Sequence, residues 1–128
     1  METDKNKIGI GTKETQTLEA KPCIVQGHRI EEVYKDKEKT EKVGEKVVLI
    51  VKHPNREDTI DLSGVKYLKG DKITSSGLWF NLDVDKLIPK QSALAETMVK
   101  YGCKTLEDFD GKEILTTLDG KYLVVKAY

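Results

Sequence analysis

Ser92-Ala-Leu-Ala-Glu-Thr-Met-Val-Lys-Tyr-Gly102, Cys103-Lys-Thr-Leu-Glu-Asp-Phe-Asp-Gly111 and Lys112-Glu-Ile-Leu-Thr-Thr-Leu-Asp-Gly-Lys-Tyr-Leu-Val-Val-Lys-Ala-Tyr128 follow one another without a break, and together they decide the fold. In the first piece Ser92 suits a helix N-cap, Leu94, Ala95, Met98 and Val99 recur at core spacing, and Gly102 supplies a stop. The pattern predicts a helix over Ala93 to Tyr101. In the second, Thr105 can cap a short turn whose Leu106 and Phe109 pack inward, with Gly111 ending it. The third predicts a terminal hairpin: Lys112 to Leu118 and Lys121 to Tyr128 around an Asp119-Gly120 turn of the I′ kind.

Upstream of the helix the signals are those of strands. Lys21 to Tyr34 carries Ile24, Val25, Ile30, Val33 and Tyr34 in a pattern that fits a long, bulged strand bending at Gly27. Residues 35–46 alternate in charge and read as a solvated hairpin loop. Val47 to Val51 is continuous, β-branched and too short for a helix, so it predicts a strand buried on both faces and stopped by His53-Pro54. Arg56 to Leu62 alternates as its hairpin partner should. After a short apolar piece around Tyr67, Ser76 to Leu82 predicts a further strand with Leu78, Phe80 and Leu82 on one face and Trp79 on the other.

Several strands, one capped helix, a short second helical turn and a closing hairpin define a mainly β fold. An antiparallel OB-like β-barrel, with its helix between the third and fourth strands, satisfies that order. Residues 1–19 are polar, with Ile8 and Ile10 as their clustered apolar side chains, and are expected to be a flexible lead-in to one domain spanning 20–128.

Composition narrows the function. At 128 residues the chain can bury a core without metal or disulfide, and Cys23 and Cys103 form no C-x-x-C pair. Two buried thiols and a reducing cytoplasm are the expectation. Lysine plus arginine equals aspartate plus glutamate, 22 of each, so no net positive field advertises nucleic-acid binding. Only Arg29 and Arg56 are arginines. No apolar run approaches the ~20 residues of a membrane span.

Motifs for catalysis are missing. His28 and His53 stand apart from any nucleophile motif, and a zinc site would need four distant segments to converge. An enzyme would return to consideration only if folding set one of these histidines against a cysteine or carboxylate. Asp83-x-Asp85 resembles the opening of a calcium loop, but Leu94 stands where the closing glutamate belongs. The glycines form no phosphate-cradling loop. No cofactor and no metal are expected.

What remains is a set of aromatic and basic residues spaced along strands. Trp79, Tyr34, Tyr67 and Tyr122 could stack on bases, while Lys46, Lys52, Lys66 and Lys72 neutralise phosphates. The plainer alternative is that the tyrosines edge the core and the lysines solubilise the sheet.

The run Ser76-Gly-Leu-Trp-Phe-Asn-Leu-Asp83, the helix start Ser92-Ala-Leu-Ala95, and the segment holding Gly102, Leu106, Phe109, Gly111 and Lys112 before the terminal strand resemble small phage-type and archaeal OB-fold proteins that bind single-stranded DNA or serve replication. The resemblance covers a little over a third of the chain and lies in residues that build the fold. It implies non-catalytic binding of single-stranded nucleic acid, DNA ahead of RNA. The alternative is a protein-interaction module or accessory subunit using an exposed strand edge or the apolar end Val124 to Tyr128.

Overall fold

A computed structural model of the chain describes residues 18–128. The expected lead-in, Ile8 and Ile10 included, lies outside the described residues up to position 17. Glu19, at its end, gives its backbone carbonyl to the ring Nε2 of the buried His53 at 2.7 Å.

The first half is a long antiparallel hairpin of β1 (Cys23–Tyr34) and β2 (Lys42–Lys52), with β3 (Ile60–Leu62) on the far side of β2. β4 (Gly64–Lys69) pairs antiparallel with β5 (Lys72–Gly77) and parallel with β8 (Tyr122–Ala127). β8 pairs with β7 (Thr116–Asp119), and β6 (Glu113–Ile114) returns to β1. Only Ser63 lies between β3 and β4, and only Leu115 between β6 and β7, so each pair acts as one strand bent from one sheet into the other. The strands therefore close in the order β1, β2, β3/β4, β8, β7/β6 and back to β1. This is an OB-like barrel, mainly β, with α1 (Ala93–Lys100) and a 3-10 turn (Leu106–Phe109) between its third and fourth strands. Among the described residues the β4–β8 contact is the parallel one in a barrel that is otherwise antiparallel, in keeping with the mainly antiparallel expectation.

Alternation along the strands fills the barrel. Cys23 and Val25 of β1, Val47, Leu49 and Val51 of β2, Leu62, Val65, Tyr67, Ile114 and Val125 share one core with Leu94, Met98 and Phe109. A register shift between Val25 and Gly27 produces the bulge that the sequence places at Gly27. Val48 is also buried, but on the outer face. Arg29, opposite Val48 on β1, reaches over β2 to Asp61 on β3 at 2.7 Å and so lies across the apolar strand.

Several local expectations are corrected. Strand β2 starts at Lys42, so the charged loop is shorter than 35–46: the charged residues beside Gly44 extend the hairpin past the core instead of leaving it. The strand expected over Ser76 to Leu82 ends at Gly77, and Leu78 to Phe80 then fill the edge of β2 through Leu78 O to Val47 N and Phe80 N to Glu45 O. Val99 is 76% exposed rather than in the core, because α1 buries Leu94, Thr97 and Met98 against the barrel and turns Val99 away. Asp119 pairs with Tyr122, so the last hairpin turns on Gly120-Lys121; of these only Gly120 has positive φ, the II′ pattern rather than I′. Both cysteines are buried free thiols. Among the described residues, no helix is long and apolar enough to cross a membrane.

Candidate nucleic-acid interface

Trp79 sits opposite Lys46 of β2 through an isolated antiparallel bridge, and directly opposed residues share a face. Leu78 on the preceding position is fully buried, so Trp79 and Lys46 stand on the outside of the barrel. The indole packs close against two glycines. A Cβ on Gly44 would meet its benzo ring at 3.3 Å, and one on Gly77 would meet Nε1 at 3.2 Å and Lys46 Cε at 2.7 Å. The Lys46 ammonium stands 4.6 Å from the indole centroid, a cation–π contact contributing about 0.5–1 kcal/mol when solvated.

The same device continues across the sheet. Gly77 is paired with Gly64 on β4, and a Cβ on Gly64 would come 2.9 Å from Val124 Cγ1 of β8. With no Cβ on either glycine, Lys46 and Trp79 close over Gly77 and the buried Val124 closes over Gly64; this stretch of the outer barrel face, from Trp79 to Val124, is the platform. Lys66 is two positions along from Gly64, on the same face, and its Nζ donates to the Leu118 carbonyl at 2.8 Å. Tyr122, two positions before Val124, is 78% exposed at the platform's end.

Lys52 shares the outer face of β2 with Lys46, and its Nζ donates to the His53 carbonyl at 3.1 Å. Among the described residues neither Lys46, Lys52 nor Lys66 has a carboxylate at ion-pair distance. Arg29 is different: Glu31 at 3.0 Å and Asp61 at 2.7 Å both hold its guanidinium.

Three of the sequence candidates fall away from the platform. Tyr67 is only 7% exposed in the barrel core and has no face free for a base; its position on β4 puts it on the inner side with Val65. Tyr34 lies at the far end of the β1–β2 arm, where its hydroxyl donates to Glu32; that bond raises the phenol pKa and lowers that of the carboxyl. Lys72 pairs with Lys69 at the β4–β5 turn, on the inner-side parity of Tyr67. The glycines Gly44, Gly64 and Gly77 were the part that sequence reasoning missed. Their signal was legible in kind, since glycine inside a strand marks a close approach.

The histidines behave differently from each other. His53 accepts the Asn55 N–H at Nδ1 and so donates from Nε2 to Glu19, fastening the chain ahead of β1. His28 Nδ1 lies 2.9 Å from Asp110 Oδ1, the histidine–carboxylate proximity that would reopen an enzyme reading. Among the described residues its other ring nitrogen meets no serine, threonine or cysteine hydroxyl or thiol, so this pair lacks the partner an activated nucleophile requires. Asp83 spends its carboxylate on the backbone N–H groups of Asp85 and Leu87, as a turn residue does. Among the described residues no group of three or more histidine, cysteine or acidic side chains is placed to hold a metal.

No protein-family model, curated protein or solved structure matches this chain.

Proposed function

We propose that the chain binds single-stranded nucleic acid, DNA ahead of RNA, on the outer barrel face around Trp79. One observation carries the reading: an indole packed against Gly44 and Gly77, with the Lys46 ammonium 4.6 Å from its ring and, among the described residues, two further outward lysines, Lys52 and Lys66, without a carboxylate at ion-pair distance. A base that displaces the Lys46 side chain gains the indole face, at about 1–3 kcal/mol per stacked base, while the released ammonium meets the adjoining phosphate. Tyr122 at the platform's far edge offers a second aromatic face. The balanced charge of the whole chain predicts modest affinity, since binding rests on few cations rather than a broad field.

Because Trp79 is the chain's one tryptophan, its fluorescence reports the site directly. Titration with short oligodeoxythymidylate should quench it saturably. If Lys46, Lys52 and Lys66 each neutralise one phosphate, log affinity should fall against log salt with a slope of about −2. Trp79→Ala, followed by a labelled oligonucleotide, should weaken binding with the fold intact. Unchanged affinity in that variant, or no quenching at micromolar concentration, would sink the reading; a matched oligouridylate tests the preference for DNA.

A further inference from the structure

The segment that leaves the barrel after Phe80 does not close over the helix it precedes. Between it and α1 runs a groove of about 450 Å³, within the ~300–1,000 Å³ range of ligand-sized pockets. Phe80, Met98 and Leu106 lie along it, with Leu87 on the loop side and Val99 on the helix side. Leu87 is 64% exposed and Val99 76%, and Leu82 in the same lining is exposed as well. Clustered exposure of this kind, unlike single surface leucines, marks a contact surface.

The loop wall is held in place. Asp83 N donates to Leu87 O at 2.8 Å, Leu87 N returns to Asp83 Oδ1 at 3.0 Å, and Lys86 N reaches Asp83 O at 3.0 Å. Lys86 takes a positive φ of 61° to complete this small ring, a conformation that a lysine adopts at a cost. The result is a Leu87 presented outward on a closed loop. Of the residues lining the groove, the charged ones are Lys86 on the loop side and Lys104 on the side of the 3-10 turn. An apolar slot between two lysines is complementary to an apolar segment flanked by negative charge.

We propose that this groove receives a segment of a partner protein in which two or more apolar side chains are bracketed by aspartate or glutamate. The apolar side chains would cover Leu87, Val99 and Leu106, and the carboxylates would meet Lys86 and Lys104 at the rim. The site is separate from the Trp79 platform and does not depend on it.

The test uses the full chain against a displayed random-peptide library, selected in parallel on the Leu87→Asp/Val99→Asp double variant, with melting curves as the check on folding. Wild-type chain should enrich acidic–apolar peptides, and a synthetic copy of one should bind the double variant at least about tenfold more weakly. Lys86→Glu/Lys104→Glu, confined to two rim side chains, should weaken the same peptide by a similar factor and supplies the test should the first variant not fold. Absence of enrichment, enrichment of neutral or basic peptides, or equal binding to the variants overturns the proposal. A concentration-dependent dimer abolished by the double variant would overturn it in favour of a second copy of this chain. Loss of oligonucleotide quenching in a folded double variant would overturn it in favour of nucleic acid.

Discussion

The hydroxyl of Tyr101 accepts the backbone N–H of Leu115 at 2.9 Å, at the single residue where the fourth barrel strand bends from β6 into β7. The same hydroxyl donates to the Lys126 carbonyl at 2.5 Å, so the C-cap of α1 is tied to the bend and to the last strand at once. A bend leaves ladder groups unpaired, and a phenol at the helix end satisfies them.

Tyr101→Phe should therefore lower stability by about 1–2 kcal/mol, the effect of leaving a partly buried donor and acceptor without their partner. Burial raises the Tyr101 pKa above its ordinary 10.0, with the Leu115 hydrogen bond acting the other way. The folded state thus holds this proton more tightly than the unfolded chain, so the contribution is complete below pH 10 and is lost as pH rises through the folded value. Thermal melts should show the wild type losing stability above that pH and the phenylalanine variant losing less. Parallel alkaline melts would sink the assignment.

Gly77→Ala tests the platform without touching an aromatic residue. The new methyl would lie 2.7 Å from Lys46 Cε and 3.2 Å from Trp79 Nε1, so the lysine must swing aside and the indole must give by a few tenths of an ångström. Because one neighbour is the flexible end of a lysine, the stability change should stay below about 1 kcal/mol. Trp79 emission should shift to the red as the ring meets water, and oligonucleotide affinity should fall. An unchanged emission maximum would mean that the indole does not rest on Gly77.

The sequence was most readable where one residue type had one physical use. Ser92 caps α1 by accepting the Ala95 N–H, and Gly102 stops it at a φ of 67°, both as their chemistry requires. Val47 to Val51 was legible as a buried strand because few alternatives suit a β-branched run. Tyr67 and Tyr122 were not separable, because strand parity cannot say which face is inside until register is known. Their fates were then opposite: core for one and solvent for the other. The apolar end Val124 to Tyr128 looked like a segment for strand addition to a partner. Within the fold Val124 to Ala127 belong to β8, where Val124 and Val125 pair with β7, Val125 to Ala127 pair with β4, and Val125 is fully buried. The platform depends on Gly64 lying opposite Gly77, and their 13-residue separation in sequence shows no sign of that pairing.

Asp108 holds the chain between α1 and the 3-10 turn. Its Oδ2 accepts the N–H groups of Thr105 at 3.0 Å and Lys104 at 2.8 Å, and these two bonds, Thr105 first, lower its pKa below the ordinary 3.8. A depressed folded pKa contributes stability above the unfolded value, and the contribution is lost as pH falls through the folded one. Asp108→Ala should melt earlier than wild type at pH 7. The gap should narrow once the pH drops below about 4, where wild type begins to lose the charged acceptor. A gap independent of pH would show that the side chain acts through packing instead.

Cys23 and Cys103 are buried, and burial raises both thiol pKa values above 9.0, with Lys112 partly offsetting the effect at Cys103. Reaction with a disulfide reagent requires thiolate and access, and the folded chain withholds both. At pH 8 the native protein should react slowly, and both thiols should appear promptly in denaturant. Cys103 also borders the groove beside α1, so it distinguishes local from global opening. If the two thiols react at one common rate that follows global unfolding, the barrel and the groove open together. Faster reaction at Cys103 alone would show that the helix and its loop part from the barrel first, and a groove-filling acidic peptide should then slow that thiol while leaving Cys23 unchanged.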